Sequence, residues 1–189
     1  MKAESRKLFG TDGIRGLVNQ YPMTADFVLN LGRAVGHYLN QKGLNRRPKV
    51  VVRKDTRLSG YMLEGAFPSG LLSQGADVFL AGPLPTPGIA FLAASLRADA
   101  GVVISASHNP YHDNGIKIFG GDGFKLPDEI EARLEEYLDP AVLDRHRPKA
   151  EGIGRAGRID DPLGRSGCCL HKSHPQHRPV HGPLTVPLT

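Results

Sequence analysis

"ISASHNPYHDNGIKIF", residues 104–119, closes one apolar run, turns through Ser-His-Asn-Pro and opens another run at Gly115. On its near side "AGVVIS" (100–105) is short and β-branched, and on its far side "GIKIF" (115–119) has the same character. Both read as strands. They are close enough to pair antiparallel across the turn, and a longer excursion between them is equally open. Outward from this turn the alternation continues. "KVVV" (49–52) and "ADVFLAG" (76–82) read as two more buried strands, about four in all.

Helical patterns separate them. Residues 24–42 place Phe27, Leu31, Ala34 and Tyr38 on one face, with Thr24 as the capping residue, Asp26 in the first turn and Gly43 as the stop. Ser59 is placed to cap a second helix running to about Gln74, which Pro68 is expected to kink or interrupt. Thr86 and Pro87 suit the cap and first position of a third helix through Ser95. Pro127, Asp128 and Glu129 open a last helix that ends near Leu138 and Pro140. Repeated strand–helix alternation predicts a three-layer α/β/α domain with a small mixed sheet, its ligands gathered at loops beyond the strand ends.

The chain has 189 residues, enough for one such domain with a sizeable core. No apolar run approaches a membrane span, and "MKAESRKLFG" lacks the apolar stretch of a secretory signal, so a cytoplasmic address is expected. The two cysteines, Cys168 and Cys169, are adjacent and cannot join distant parts of the chain. The net charge of +5 is uneven, because all 19 acidic residues lie at or before Asp161. No basic stripe with interleaved aromatics accompanies it, which argues against nucleic acid. From residue 162 onward five prolines, four histidines and both cysteines replace the periodic patterns. The expected division is therefore a domain over 1–161 and an irregular, disordered tail over 162–189. Such a switch reads as a change of reading frame or a damaged gene model. The rival is a metal-binding tail built from Cys168, Cys169, His171, His174, His177 and His181, but its spacing matches no ordinary zinc pattern.

An isolated serine at such a turn ordinarily caps its own backbone. Neighbouring Ser107 and His108 do not make a nucleophilic triad, since no orienting carboxylate is evident. The surrounding motifs give the turn more weight. "FGTDGIRG" (9–16) is a glycine-punctuated loop carrying Arg15, suited to an anion, and "RKDTRLSG" (53–60) puts another arginine after a strand. "GPLPTP" (82–87) is a stiff loop, and "DNGIK" delivers Lys117.

In this order the motifs "FGTDGIRG", "KDTR", "GPLPTP", "SASHNP" and "DNGIK" resemble the α-D-phosphohexomutase family over residues 8 to about 165. The spellings are more similar to members acting on glucosamine phosphates than to those acting on glucose or mannose phosphates. The resemblance implies that Ser107 carries a phosphoryl group, with Arg15, His108 and Lys117 at the catalytic centre. It implies an isomerase that interconverts glucosamine 6-phosphate and glucosamine 1-phosphate through a bisphosphate, on the route to cell-wall amino sugars. It further implies Mg²⁺ held against the Ser107 phosphate by an Asp-Gly-Asp-Gly-Asp type loop of a second domain. A third domain would recognise sugar hydroxyls, and a fourth would bind the distal phosphate. Those motifs do not occur in these 189 residues, so the chain by itself is expected to be inactive. A non-catalytic phosphosugar-binding or regulatory module is the alternative. Oligomeric state is not legible.

Overall fold

The computed structural model describes residues 8–83, 86–145 and 147–159. The chain runs β1 (Ile14–Leu17), α1 (Ala25–Asn40), β2 (Lys49–Lys54), α2 (Ser59–Ser73), β3 (Asp77–Pro83), α3 (Thr86–Leu96) and β4 (Ala100–Ile104). It continues through β5 (Asp113–Gly120), α4 (Asp128–Glu136), the short α5 (Pro140–Leu143) and β6 (Ala156–Arg158). The strands form one mixed sheet of order β1-β5-β4-β2-β3-β6. β4, β2, β3 and β6 are mutually parallel, while β5 runs antiparallel to both β4 and β1.

Strand parity divides the core in two. Val50, Val52, Val102, Ile104, Ile116 and Ile118 face the larger cluster beneath α1, α2 and α4. Val51 and Val103 face the opposite way, where Ile89, Leu92 and Ala93 of α3 cover them. Helices therefore lie on both sides of the sheet, as expected for three layers. Gly101 lets α3 come close, since a Cβ there would sit 3.0 Å from Ile89.

The first helix begins as its sequence indicates, with the Phe27 N–H donating to Thr24 Oγ1 at 3.4 Å. Two other readings are corrected. Ser59 does not cap α2; Leu58 holds that position, and the Ser59 hydroxyl instead accepts from Asn114 Nδ2 at 2.8 Å. Pro68 does not interrupt α2, which stays continuous from Ser59 to Ser73. The reason is backbone-to-backbone packing on either side of it. A Cβ on Gly32 would lie 2.2 Å from the Phe67 carbonyl oxygen, and one on Gly70 would lie 2.1 Å from that of Leu29. Held this closely by α1, α2 tolerates the one missing N–H donor.

Among the described residues the sheet has six strands, not about four. β1 and β6 are the additions, and tertiary pairing makes both. "IRGL" shows no alternation of its own but pairs with β5 from Ile14↔Ile116 to Leu17↔Asp113. "AGR" is fully exposed and exists as a strand because the β3 edge offers it partners. After α4 the chain makes the further turn α5, where Pro140 follows Asp139, whose carboxylate accepts from the Ala141 N–H at 2.9 Å. The expected disorder of the tail from 162 lies outside the described residues, as do its cysteines and histidines.

Candidate active site

The loop that joins β4 to β5 leaves the sheet at Ser105 and returns at Asp113. Ser105 is buried, and its hydroxyl accepts from the Ser107 N–H at 3.1 Å. Ser107 itself is exposed and takes a positive φ of 55°, which is uncommon for a residue with a side chain. The conformation is held from outside the loop. Arg57, just beyond β2, donates through Nη2 to the carbonyls of Ser107 (3.0 Å) and Asn109 (2.8 Å). Through Nη1 it donates to the carbonyls of Pro110 (2.6 Å) and Asp113 (3.1 Å), and its Nε is paired with Asp55 at 3.0 Å. One guanidinium thus braces four carbonyls of the loop.

Two cations reach this loop from the sheet. Arg15 on β1 lies opposite Gly115 of β5, and Lys117 is two residues further along β5. That spacing puts both on the sheet face covered elsewhere by α3. A Cβ at Gly115 would meet Arg15 Cγ at 3.0 Å, so glycine there leaves room for the arginine. Lys117 is 9% exposed, and its Nζ donates to Ser107 Oγ at 3.0 Å and to Asp12 Oδ2 at 2.5 Å. Arg15 Nη2 is paired with the same Asp12 oxygen, and its Nη1 donates to Asn109 Oδ1 at 3.2 Å. Asn109 in turn donates to Asp113 Oδ2 at 3.0 Å.

Burial on its own would push the Asp12 carboxyl up. The hydrogen bond from Lys117 and the charges of Lys117 and Arg15 outweigh it, and the carboxyl lies below its ordinary range. The arrangement is an exposed hydroxyl served by a buried ammonium, with a guanidinium sharing that ammonium's counter-ion. It can bind an oxyanion at Ser107 and stabilise charge on the serine oxygen.

Of the four residues singled out in the sequence, Ser107, Lys117 and Arg15 converge here. His108 does not join them: it is exposed, and among the described residues its side chain makes no hydrogen bond or ion pair. Arg57 and Asp12 were missed. The signal was present in "KDTR" and "FGTDGIRG", but sequence does not show which carbonyls a guanidinium reaches. No group of three or more His, Cys, Asp or Glu able to hold a metal occurs among the described residues, so they do not fit a Mg²⁺ site. No helix among them is long and apolar enough to cross a membrane.

The chain matches the family described as "Phosphoglucomutase/phosphomannomutase, alpha/beta/alpha domain I" over residues 6–141. It is 55% identical over 177 residues to the phosphoglucosamine mutase of Syntrophotalea carbinolica, covering 94% of this chain and 38% of that protein. It is 56% identical over 182 residues to the phosphoglucosamine mutase of Myxococcus xanthus, covering 96% of this chain and 39% of that protein. Both matches extend past Arg165, beyond the stretch the motifs spanned. A crystal structure of a phosphoglucomutase/phosphomannomutase family protein from Burkholderia thailandensis superposes with a TM-score of 0.67 at 30% identity. That superposition covers 83% of this chain and 34% of the other. The chain thus spans under two fifths of the length of these curated relatives. Sequence and fold agree that this chain belongs to the phosphoglucomutase/phosphomannomutase family, to whose α/β/α domain I its residues 6–141 correspond.

Proposed function

We propose that Ser107 is the phosphate carrier of a hexosamine-phosphate mutase and that this chain supplies the phosphoserine side of its active site. The observation that carries the reading is the Lys117 Nζ–Ser107 Oγ hydrogen bond of 3.0 Å, with Arg15 tied to Lys117 through Asp12. In the forward half-reaction the Ser107 Oγ–P bond breaks as a P–O bond forms to the free hydroxyl of glucosamine 6-phosphate. Lys117 stabilises charge on Oγ and assists proton transfer. His108, next in the chain and exposed, orients the sugar hydroxyl or stabilises its charge. Arg15 clamps the phosphoryl oxygens. The bisphosphate then turns, and Ser107 Oγ takes the phosphoryl group from the 6-position, leaving glucosamine 1-phosphate. Such a product would feed amino-sugar and cell-wall precursor synthesis in the cytoplasm. Mg²⁺, sugar contacts and the distal phosphate grip would come from protein beyond the described residues.

The test joins the chain after Arg165 to the segment of the Myxococcus relative that continues the match. The fusion should interconvert the glucosamine phosphates, and Ser107→Ala in it should remove most turnover even with hexose bisphosphate supplied. A Ser107→Ala fusion running near the parent rate would sink the assignment. The 189-residue chain alone should show no turnover; measurable activity would show that the further parts are dispensable.

A further inference from the structure

Asp12 stands between the two cations of the site. Its Oδ2 receives Lys117 Nζ at 2.5 Å and is also paired with Arg15. It cannot be farther from Ser107 Oγ than its own bond to Lys117 and the Lys117–Ser107 bond laid end to end. Any dianion on Ser107 therefore meets a carboxylate already holding the cations it needs.

The carboxylate is not required to shape its own loop. Leu8 and Phe9 anchor that loop by donating to Glu135 Oε1 at 2.8 and 3.1 Å, and Gly10 donates to the Gly13 carbonyl at 3.0 Å. Gly13 seats it on β5 with a φ of 85°, where a Cβ would lie 2.3 Å from the Ile116 carbonyl oxygen. The loop is fixed four ways without Asp12.

We propose that Asp12 is a positioning residue that competes with the Ser107 phosphate for Lys117 and Arg15, and so weakens the site's hold on that phosphate. The inference rests on Ser107 being the phosphate carrier. A phosphoserine brings about −1.5 to −2 of charge at neutral pH. Against Lys117 and Arg15 alone that charge is nearly balanced; with Asp12 included the cluster is left negative. Of the other charged groups nearby, Arg53 is buried on the same sheet face, across Val103 from Lys117, and feels the charge of Asp55. Arg57 is committed to Asp55 and to the loop carbonyls, and Asp113 accepts from Asn109 and lies 3.9 Å from His112. His108 is exposed. A phosphate gripped by two unopposed cations would be a poor donor, because stabilisation of the ground state that is partly lost in the transition state raises the barrier to transfer. The carboxylate keeps the cations engaged when the serine is bare and contests them when it is charged.

The test uses the 189-residue chain with phosphoserine introduced at position 107 during translation, its phosphate titrated by ³¹P NMR. Asp12→Asn should lower the second pKa of the phosphate by about half a unit or more, since a nearby negative charge no longer opposes the dianion. Asp12→Glu, which keeps the charge, should return most of the shift. An Asp12→Asn phosphate that titrates as in the parent overturns the proposal. Lys117→Met separates this from the prior reading: removing a cation should raise the phosphate pKa. Should Lys117→Met move it and Asp12→Asn leave it alone, only the role of Asp12 fails. Should neither move it, the phosphate does not sit in this cluster, and the Ser107 assignment falls with it.

Discussion

Arg57 spends every arm of its guanidinium inside the protein: two on Ser107 and Asn109, two on Pro110 and Asp113, and Nε on Asp55. A lysine keeps the charge but cannot fork to four carbonyls. Arg57→Lys should therefore speed amide exchange across residues 107–113 while leaving exchange in β2 and β4 slow. Arg57→Ala should cost about 2 kcal/mol in chemical denaturation, the scale of lost hydrogen bonds to a charged group. Equal exchange rates in the loop for parent and Arg57→Lys would show that the loop needs no brace. The candidate site was half legible at this scale. Ser107, Arg15 and Lys117 announce themselves by residue type beside glycines and a turn. Arg57 and Asp12 act through partners about 50 and 105 positions away, a pairing that only the folded chain sets.

Among the elements, α1 and α2 approach most closely at glycines, with Gly32 and Gly70 each closed by the opposing backbone. A methyl group at Gly70 has nowhere to go, since the obstruction is a main-chain carbonyl that cannot change rotamer. Gly70→Ala should destabilise the fold by about 3 kcal/mol or more, measured by thermal or urea unfolding. A loss under about 1 kcal/mol would mean that the helices can separate cheaply. In α4 the pH dependence is set by Glu131. Burial pushes its carboxyl up, and the hydrogen bond from Lys125 only partly offsets that. A carboxyl raised on folding favours the native state most below its unfolded value, and that advantage is lost as pH rises through the folded value. The stability of Glu131→Gln relative to the parent should therefore improve from about pH 4 to pH 7. A relative stability that falls over that window would contradict the sign.

For the molecule as a whole, the central strands were readable because each is buried on both faces. "KVVV" and "AGVVI" need no partner in view to declare themselves, since β2 contributes to both core clusters. The sheet margins were not readable. β1 and β6 become strands by docking on β5 and β3, and nothing in "IRGL" or "AGR" carries that information locally. The same holds for the surface. Leu58 and Tyr111 are each 87% exposed, and each follows a residue of the Arg57–Pro110 contact, so large apolar groups stand at the rim of the candidate site. A domain presenting such groups beside its functional loop is expected to self-associate when alone. Leu58→Ser with Tyr111→Ser should reduce that association in light scattering, without changing the unfolding midpoint by more than a few degrees. A chain already monomeric at high concentration would leave those side chains without this consequence.

The ladder between β1 and β5 also fixes which changes of length the family's loop region can accept. Arg15 sits opposite Gly115, on the same side of the sheet as Lys117, and Ile14 sits opposite Ile116 on the core side. Adding or deleting one residue within 14–17 would exchange the two sides, sending the guanidinium into the apolar layer and an isoleucine toward Ser107. Two residues added together would restore the alternation. Length variation before β1 should accordingly be absorbed in the turn up to Gly13, whereas an insertion inside the strand should be tolerated only in even steps.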